Sequence, residues 1–180
     1  MYPKYFATGN KNKLREFSEI LNSELEAVSV DLPEIQEIDV EKVVEEKAKE
    51  AYKLIGKPTL VEDSSLEFTA WNKLPGALIK WFLSTVGVDG ILKMLENEQE
   101  REAVAKTAVA FFDGSKTHIF TGELKGVISK EKSGDNGFGW DFIFIPDGYE
   151  KTFAEMSPEE KNKISMRKLA LEKMIKELRL

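Results

Sequence analysis

Hydrophobic and polar residues alternate along the chain with two periods, one typical of strands and the other of helices. In the N-terminal third, the apolar spacing predicts five elements: a strand at 5–8, a helix at 14–21, a strand at 27–30, a helix at 40–55 and a strand at 59–61. A glycine and a proline follow the second helix closely, as is typical of a helix end. The order of elements is therefore β-α-β-α-β.

The rest of the chain predicts helices first and then an antiparallel hairpin. A helical segment, two hairpin strands and a further apolar strand are predicted at 76–95, 106–113, 116–124 and 142–145. The hairpin turns at Asp113-Gly114, a pair typical of tight turns. Ser157, Pro158 and Glu160 form a capping box with proline at the first helical position. We therefore predict an α/β fold with a mixed, twisted sheet and flanking helices.

Two basic residues near the C-terminus predict a break in the last helical segment. Lys161 and Arg167 are six residues apart, which places them well out of phase on one straight helix. If both side chains reach one ligand, the helix breaks between them, and Ser165 is the residue that can cap a second helix. Without such a ligand, the two cations simply line a solvated helix face.

Composition excludes several classes of protein. With 180 residues and a net charge of −6, the chain is long enough for one domain, 1–180, and lacks the basic surface that nucleic acid or an anionic membrane requires. The chain has no cysteine, which excludes disulfides and thiolate chemistry. No segment has the pattern of a signal peptide or a membrane span, so we expect a cytoplasmic protein. The single histidine, His118, lies in a strand pattern and is more typical of a packed surface residue than of a catalyst.

The first candidate site is the turn at 8–13, where the first strand meets the first helix. Backbone N–H groups and the helix dipole at such a position favour a phosphate. Gly9 allows close approach, Thr8 and Asn10 offer hydrogen bonds, and Lys13 offers a positive charge. The turn is not a Walker loop, and an ordinary helix capped by asparagine explains the same residues.

The second candidate site is Glu62-Asp63-Ser64, which we expect at the C-terminal end of a buried strand, where open α/β sheets bind ligands. Neighbouring carboxylates are costly to desolvate unless a cation compensates them. Oxygen ligands favour Mg²⁺, which would also bridge phosphate oxygens. Glu34, in a short loop, is a candidate for a further ligand. An ordinary acidic loop explains the pattern nearly as well.

The third candidate site is the glycine-rich segment 133–141. Its glycines allow close backbone approach, and Phe138 and Trp140 offer aromatic faces on which a base can stack. Asp141 could accept hydrogen bonds from the edge of that base. A glycine-rich hairpin whose aromatic residues fill the core explains the segment equally well.

In combination and order, these motifs resemble the inosine triphosphate pyrophosphatase family, enzymes that remove non-standard purine nucleoside triphosphates. The resemblance covers nearly the whole chain and is closest to the archaeal branch. The blocks that carry it are TGNKNK at 8–13, PEIQ at 33–36, VEDS at 61–64, LPG at 74–76, GFGWDFIFIP at 137–146 and KTFAEMSPEEKNKIS at 151–165.

The resemblance implies an elongated, two-lobed fold with a central nucleotide cleft, and a homodimer. It implies hydrolysis of ITP, dITP or XTP to the monophosphate and pyrophosphate, with Mg²⁺ as cofactor. Asp63 would be catalytic as the proton acceptor; Glu34 and Asp63 would hold the metal, with Glu62 as an additional candidate. The nucleotide would contact Thr8, Gly9, Asn10, Lys13, Ser64, Phe138, Gly139, Trp140, Asp141, Lys161, Met166 and Arg167.

Several positions depart from the family pattern and leave the base preference open. The usual Ser-His-Arg reads Ser165-Met166-Arg167, which removes a polar contact to the purine. There are four other departures. Ser65 replaces a glycine, Trp140 a tyrosine, Phe142 a proline, and Leu78-Ile79 a Tyr-Ser pair. Two alternatives therefore stand: a pyrophosphatase for another or modified nucleotide, and a relative that binds nucleotides without hydrolysing them.

Overall fold

Most strands and helices form near the positions that the apolar periodicity predicts, in a computed structural model that describes residues 2–178. Within this range the strands are β1 Tyr5–Ala7, β2 Glu26–Val28, β3 Val61–Phe68, β4 Pro75–Gly76, β5 Glu102–Phe112, β6 Thr117–Ile128 and β7 Phe144–Pro146. The α-helices are α1 Lys11–Leu21, α2 Val40–Ile55, α3 Ile79–Thr85, α4 Gly87–Met94, α5 Pro158–Ile164 and α6 Met166–Glu177. No helix in residues 2–178 is both long and apolar enough to cross a bilayer.

The strands form two sheets. Five of them pair in the order β4-β3-β5-β6-β7, and every neighbouring pair is antiparallel. Strands β1 and β2 pair in parallel, and β1 also meets Leu60 through a parallel bridge from Phe6. The predicted α/β class is confirmed, with parallel and antiparallel pairing kept in separate sheets.

Helices cover both faces of the larger sheet, as its central strand shows. Successive strand residues point to opposite faces. On β5, Ala108 packs in one apolar cluster with Ala48 of α2, whereas the next residue, Val109, packs in another with Leu171 of α6. The prediction of flanking helices is therefore confirmed.

The hairpin and the helix break both form at the predicted residues. Strands β5 and β6 pair up to Phe112 and Thr117, so the chain turns at 113–116. Ser165 has extended backbone angles, φ −62° and ψ 153°, ends α5 and caps α6 by accepting a hydrogen bond from the Lys168 N–H. His118 lies beside the turn, with Nε2 2.6 Å from Oδ2 of Asp113, and has no contact with the cleft described below.

The hydroxyl of Ser65 is buried without a partner. Ser65 lies in β3, is fully buried, and its Oγ has no hydrogen-bond partner among residues 2–178. A buried polar group left unpaired costs about 1–3 kcal/mol. We therefore expect Ser65→Ala to raise the free energy of unfolding by about 1 kcal/mol, which corresponds to a Tm increase of about 2–4 °C. Thermal unfolding followed by circular dichroism measures this change, and a lower Tm would contradict the assignment.

Candidate active site

One cleft of about 880 Å³ gathers the residues that the sequence singled out. Its walls come from the β1–α1 turn, the loop before α2, the start of β3, helix α3, the segment before β7 and the α5–α6 junction. All fifteen candidate residues line it: Thr8, Gly9, Asn10, Lys13, Glu34, Glu62, Asp63, Ser64, Phe138, Gly139, Trp140, Asp141, Lys161, Met166 and Arg167. Their chemical roles stay predictions, but their convergence is a feature of the fold.

At the β1–α1 turn, side chains organise the start of the helix. Asn10 Oδ1 accepts hydrogen bonds from the backbone N–H groups of Asn12 and Lys13, at 2.9 and 3.2 Å. Thr8 Oγ1 in turn accepts one from the Asn10 N–H, at 3.1 Å. The turn is thus an asparagine-capped helix start, and it presents Thr8, Asn10 and Lys13 to the cleft.

The position of Glu62-Asp63-Ser64 in the sheet differs from the prediction. These residues were expected at the C-terminal end of a short strand, but β3 starts at Val61 and continues to Phe68, so they lie near its beginning. Because successive strand residues face opposite ways, Glu62 and Ser64 share one face and Asp63 occupies the other. The two neighbouring carboxylates therefore belong to different sets of contacts.

Glu62 lies in a buried network of charges. One of its oxygens is 2.6 Å from Lys13 Nζ, and the other accepts hydrogen bonds from Arg167 at 2.9 Å and from Ser64 Oγ at 2.8 Å. Although burial opposes it, the charges of Lys13 and Arg167 hold the pKa of Glu62 well below its usual range. Both oxygens of Glu62 are thus paired with cations of the chain, and its role as an additional metal ligand stays a prediction.

The same network continues to the other side of Arg167 through Glu16, which the sequence reasoning missed. Glu16 is buried on α1 and contacts both Arg167 and Lys161, with Lys161 Nζ at 3.0 Å. Lys161 also donates to Asp141 Oδ2 at 2.7 Å, and the Phe138 N–H donates to the same oxygen at 2.8 Å. This oxygen of Asp141 therefore helps to hold the glycine-rich segment 133–141 in place, and the contact of Asp141 with a base stays a prediction.

Asp63 and Glu34 meet on the other face of β3, around a lysine. Lys47 Nζ lies 2.6 Å from Glu34 and 3.8 Å from Asp63, and Lys80 Nζ lies 2.9 Å from the second Glu34 oxygen. Burial alone would raise the pKa of Glu34, but the hydrogen bonds and charges of Lys47 and Lys80 lower it to about 2. Burial raises the pKa of Asp63 despite the opposing charges of Lys13 and Lys47.

Lys47 and Lys80 were not predicted from the sequence, although Lys47 carries a signal. It follows Val43 and Val44 on the apolar stripe of α2 and precedes Ala51 on that stripe, so its spacing places it on the buried side of the helix. A lysine there needs a partner for its charge. Lys80 follows the buried Ile79 on α3 and has no comparable signature.

Two carboxylates facing one space suit a divalent ion only if other ligands join them. Within residues 2–178, no group of three acidic or histidine side chains is arranged to hold a metal. Mg²⁺ is commonly bound by one or two carboxylates together with waters and substrate phosphates. Glu34 and Asp63 fit that pattern, and a triphosphate would supply the missing oxygens.

The cleft also has an apolar part, formed around Met166. Ile79, Leu83, Trp140 and Met166 belong to one hydrophobic cluster and also line the cleft. Trp140 is only 6% exposed and packs edge-on against Phe144, so most of its ring lies in the core. The cleft thus joins a charged part lined by lysines and carboxylates to an apolar part lined by aliphatic and aromatic side chains.

The chain is similar over nearly its whole length to known proteins of one family. The Ham1 family model matches residues 4–177. The chain is 42% identical over 172 residues to the dITP/XTP pyrophosphatase of Methanopyrus kandleri, covering 93% of this chain and 92% of that protein. It is 45% identical over 174 residues to the inosine triphosphate pyrophosphatase of Yarrowia lipolytica, covering 94% and 92%.

Solved structures show the same fold. The HAM1 protein from Coxiella burnetii superposes with a TM-score of 0.86 at 30% identity, covering 99% of this chain and 98% of that one. The Staphylococcus aureus Ham1 protein gives 0.85 at 27% identity, with 97% of each chain covered. The family resemblance found in the sequence motifs is confirmed. The two relatives named above come from an archaeon and a yeast. The chain belongs to the Ham1 family.

Proposed function

We propose that this chain hydrolyses non-standard purine nucleoside triphosphates, such as ITP, dITP and XTP, to the monophosphate and pyrophosphate. One observation carries the proposal: one cleft places Lys13, Lys47 and Lys80 beside acidic side chains and joins this charged part to an apolar part around Met166. The names of the similar archaeal and yeast proteins support the same reaction and substrate class.

The triphosphate would lie along the lysines of the charged part. Lys13, Lys47 and Lys80 each pair with a carboxylate in this structure. Phosphate oxygens make strong charge-assisted hydrogen bonds with such groups. The α1 start adds the polar side chains of Thr8 and Asn10 beside Lys13. A bound triphosphate would therefore share these lysines with the carboxylates that now neutralise them.

Hydrolysis would proceed by attack of water on the α-phosphorus. The water oxygen forms the new bond to phosphorus, the bond to the oxygen that bridges to the β-phosphate breaks, and pyrophosphate leaves with that electron pair. Asp63 either accepts the proton of the water, which burial favours by raising its pKa, or holds the metal ion. Glu62 cannot do the same because Lys13 and Arg167 already engage both its oxygens.

Mg²⁺ is proposed as the cofactor, with Glu34 and Asp63 as the residues that would hold it. When bound, the ion would offset the negative charge on the phosphate oxygens. Lys47 lies within 4 Å of both carboxylates, so it would keep them oriented towards the same space.

Pyrophosphate release tests the proposal directly. Purified protein is given ITP, dITP, XTP, GTP or ATP with Mg²⁺, and the same reactions are repeated with EDTA. We expect pyrophosphate and the nucleoside monophosphate in equal amounts, with little product in EDTA. Triphosphate binding without pyrophosphate release would favour the alternative of a non-hydrolysing relative. Unchanged release in EDTA would refute only the metal assignment.

A relaxed base preference is a second expectation, because Met166 gives the base part of the cleft an apolar wall where the family has histidine. Met166 is buried and belongs to the apolar cluster that lines the cleft. A polar contact that recognises one substrate group can reject an analogue by about 10⁴-fold, and a thioether cannot supply it. We expect a smaller ratio of kcat/KM for ITP over ATP in the wild type than in Met166→His. An equal or larger ratio in the wild type would contradict this role of Met166.

We further propose a cytoplasmic homodimer as the working state, on the basis of the family resemblance. Light scattering coupled to size-exclusion chromatography measures the mass in solution, which would be twice the 20.4 kDa of one chain.

A further inference from the structure

A buried threonine lies next to the cleft and has no role in the reaction described above. Thr107, on β5, is directly opposite Ser64 of β3 in the antiparallel register and is fully buried. Its Oγ1 is 3.1 Å from Ser64 Oγ. Within residues 2–178, this is the one hydrogen bond that the Thr107 side chain makes. Distance alone does not show which hydroxyl donates.

The surroundings of Ser64 settle the direction. Ser64 Oγ donates a hydrogen bond to Glu62 Oε1 at 2.8 Å, and the two oxygens of Glu62 also face the donors Lys13 and Arg167, so this carboxylate acts as an acceptor on both sides. A hydroxyl has only one proton to give. Ser64 therefore donates its hydrogen bond to Glu62. In the hydrogen bond between Ser64 and Thr107, the donor must then be the hydroxyl of Thr107.

We propose that Thr107 is a positioning residue that sets the polarity of the Ser64 hydroxyl. By donating to Ser64, it occupies a lone pair of the Ser64 oxygen and leaves the Ser64 proton for an acceptor, which is Glu62 in this structure and a phosphate oxygen of the bound nucleotide. Hydrogen bonds in such a chain also polarise one another, so the incoming bond makes Ser64 a stronger donor. The inference rests on the proposed function, in which Ser64 contacts the substrate.

The hydrogen bonds from Thr107 to Ser64 and from Ser64 to its acceptor form a relay. Removing only the hydroxyl of Thr107 tests this relay. Thr107→Val keeps the branched shape, and Thr107→Ser keeps the hydroxyl. Because one neutral hydrogen bond is lost, we expect Thr107→Val to lower kcat/KM by about threefold to tenfold. Thr107→Ser should stay within about twofold of wild type, since its hydroxyl can still donate. If Thr107→Val does not fold, Thr107→Ala replaces it with the same expectation.

A double-mutant cycle separates the relay from a general loss of structure. In a Ser64→Ala background, Thr107→Val should cause no further loss of kcat/KM, because the hydroxyl through which it acts is gone. Thr59→Val is the matched control: Thr59 is also buried, but its Oγ1 donates to the Lys57 carbonyl, and it does not line the cleft. We expect Thr59→Val to keep wild-type kcat/KM.

Three results would overturn the relay: wild-type kcat/KM in Thr107→Val, failure of Thr107→Ser to retain activity, or an equal loss in the Ser64→Ala background. These differ from failure of the proposed function itself. If the wild type releases no pyrophosphate from any triphosphate, the function is wrong; if Ser64→Ala alone is fully active, the substrate contact of Ser64 is wrong and the relay falls with it.

Discussion

Asp63→Asn should lower turnover by about 10²–10⁴-fold, the range typical of losing a general base. Asparagine keeps the size of the side chain but cannot take up the proton of the attacking water or carry the negative charge that a divalent ion needs. Pyrophosphate release at saturating ITP measures the change in kcat. Turnover close to wild type would remove Asp63 from the mechanism.

The fold should tolerate this substitution, which makes the kinetic result interpretable. Burial raises the pKa of Asp63, which means that its charge is unfavourable in the folded protein. Its contact with Lys47 is long, at 3.8 Å. We therefore expect the Tm of Asp63→Asn to stay close to wild type. Asp147→Asn, at an exposed position outside the cleft, is the matched control and should affect neither activity nor Tm.

Arg167→Met should cause the largest loss of stability. Arg167 is 1% exposed and contacts both Glu16 and Glu62. Methionine fills much of the same space but leaves two buried carboxylates without this partner. Breaking a buried ion pair from one side costs about 3–5 kcal/mol. At about 2–4 °C per kcal/mol for a chain of this size, the expected fall in Tm is about 6–20 °C.

The neighbouring lysine provides the control for Arg167→Met. Lys168 is on the same helix and pairs with Glu172, a partner four residues on whose side chain is 52% exposed. An ion pair at the surface contributes about 1 kcal/mol or less, so Lys168→Met should shift Tm by only a few degrees. If both variants have the same Tm, the buried network does not stabilise the fold in the way its geometry indicates.

Local signals in the sequence were sufficient for most of the elements. The helical spacing of apolar residues predicted α1 and α2, and the phase argument on Lys161 and Arg167 predicted the break at Ser165. These signals are local because they depend on spacing along one segment. The glycine and capping residues that end helices are local for the same reason.

The extent of β3 could not be predicted because its evidence is not local. Residues 62–65 are polar, and polar residues inside a strand give no apolar alternation to detect. The segment is a strand because β5 pairs with it along its whole length. That pairing joins residues about forty positions apart, such as Ser64 and Thr107. The opposite orientation of Glu62 and Asp63 follows from the pairing and was therefore missed with it.

The candidate site was predictable in membership but not in its internal contacts. All fifteen residues chosen from the sequence line the cleft. They could be chosen because they lie in the motifs that resemble the family. Glu16, Lys47 and Lys80 were missed because their partners come from other elements, and only folding brings the charges together.

The alternation of β3 restricts how the gene for this protein can change. Glu62 and Asp63 contact different side chains on the two faces of the strand, so a substitution at one acid affects the other through charge and not through a shared contact. A deletion or insertion of one codon between Val61 and Ser65 is different in kind. It would turn every following side chain of the strand to the opposite face. The carboxylate of Asp63, the proposed base, could then face Lys13 and Arg167, the cations that pair with Glu62. Natural variation in this segment should therefore consist of exchanges of residues, with the length of the segment conserved.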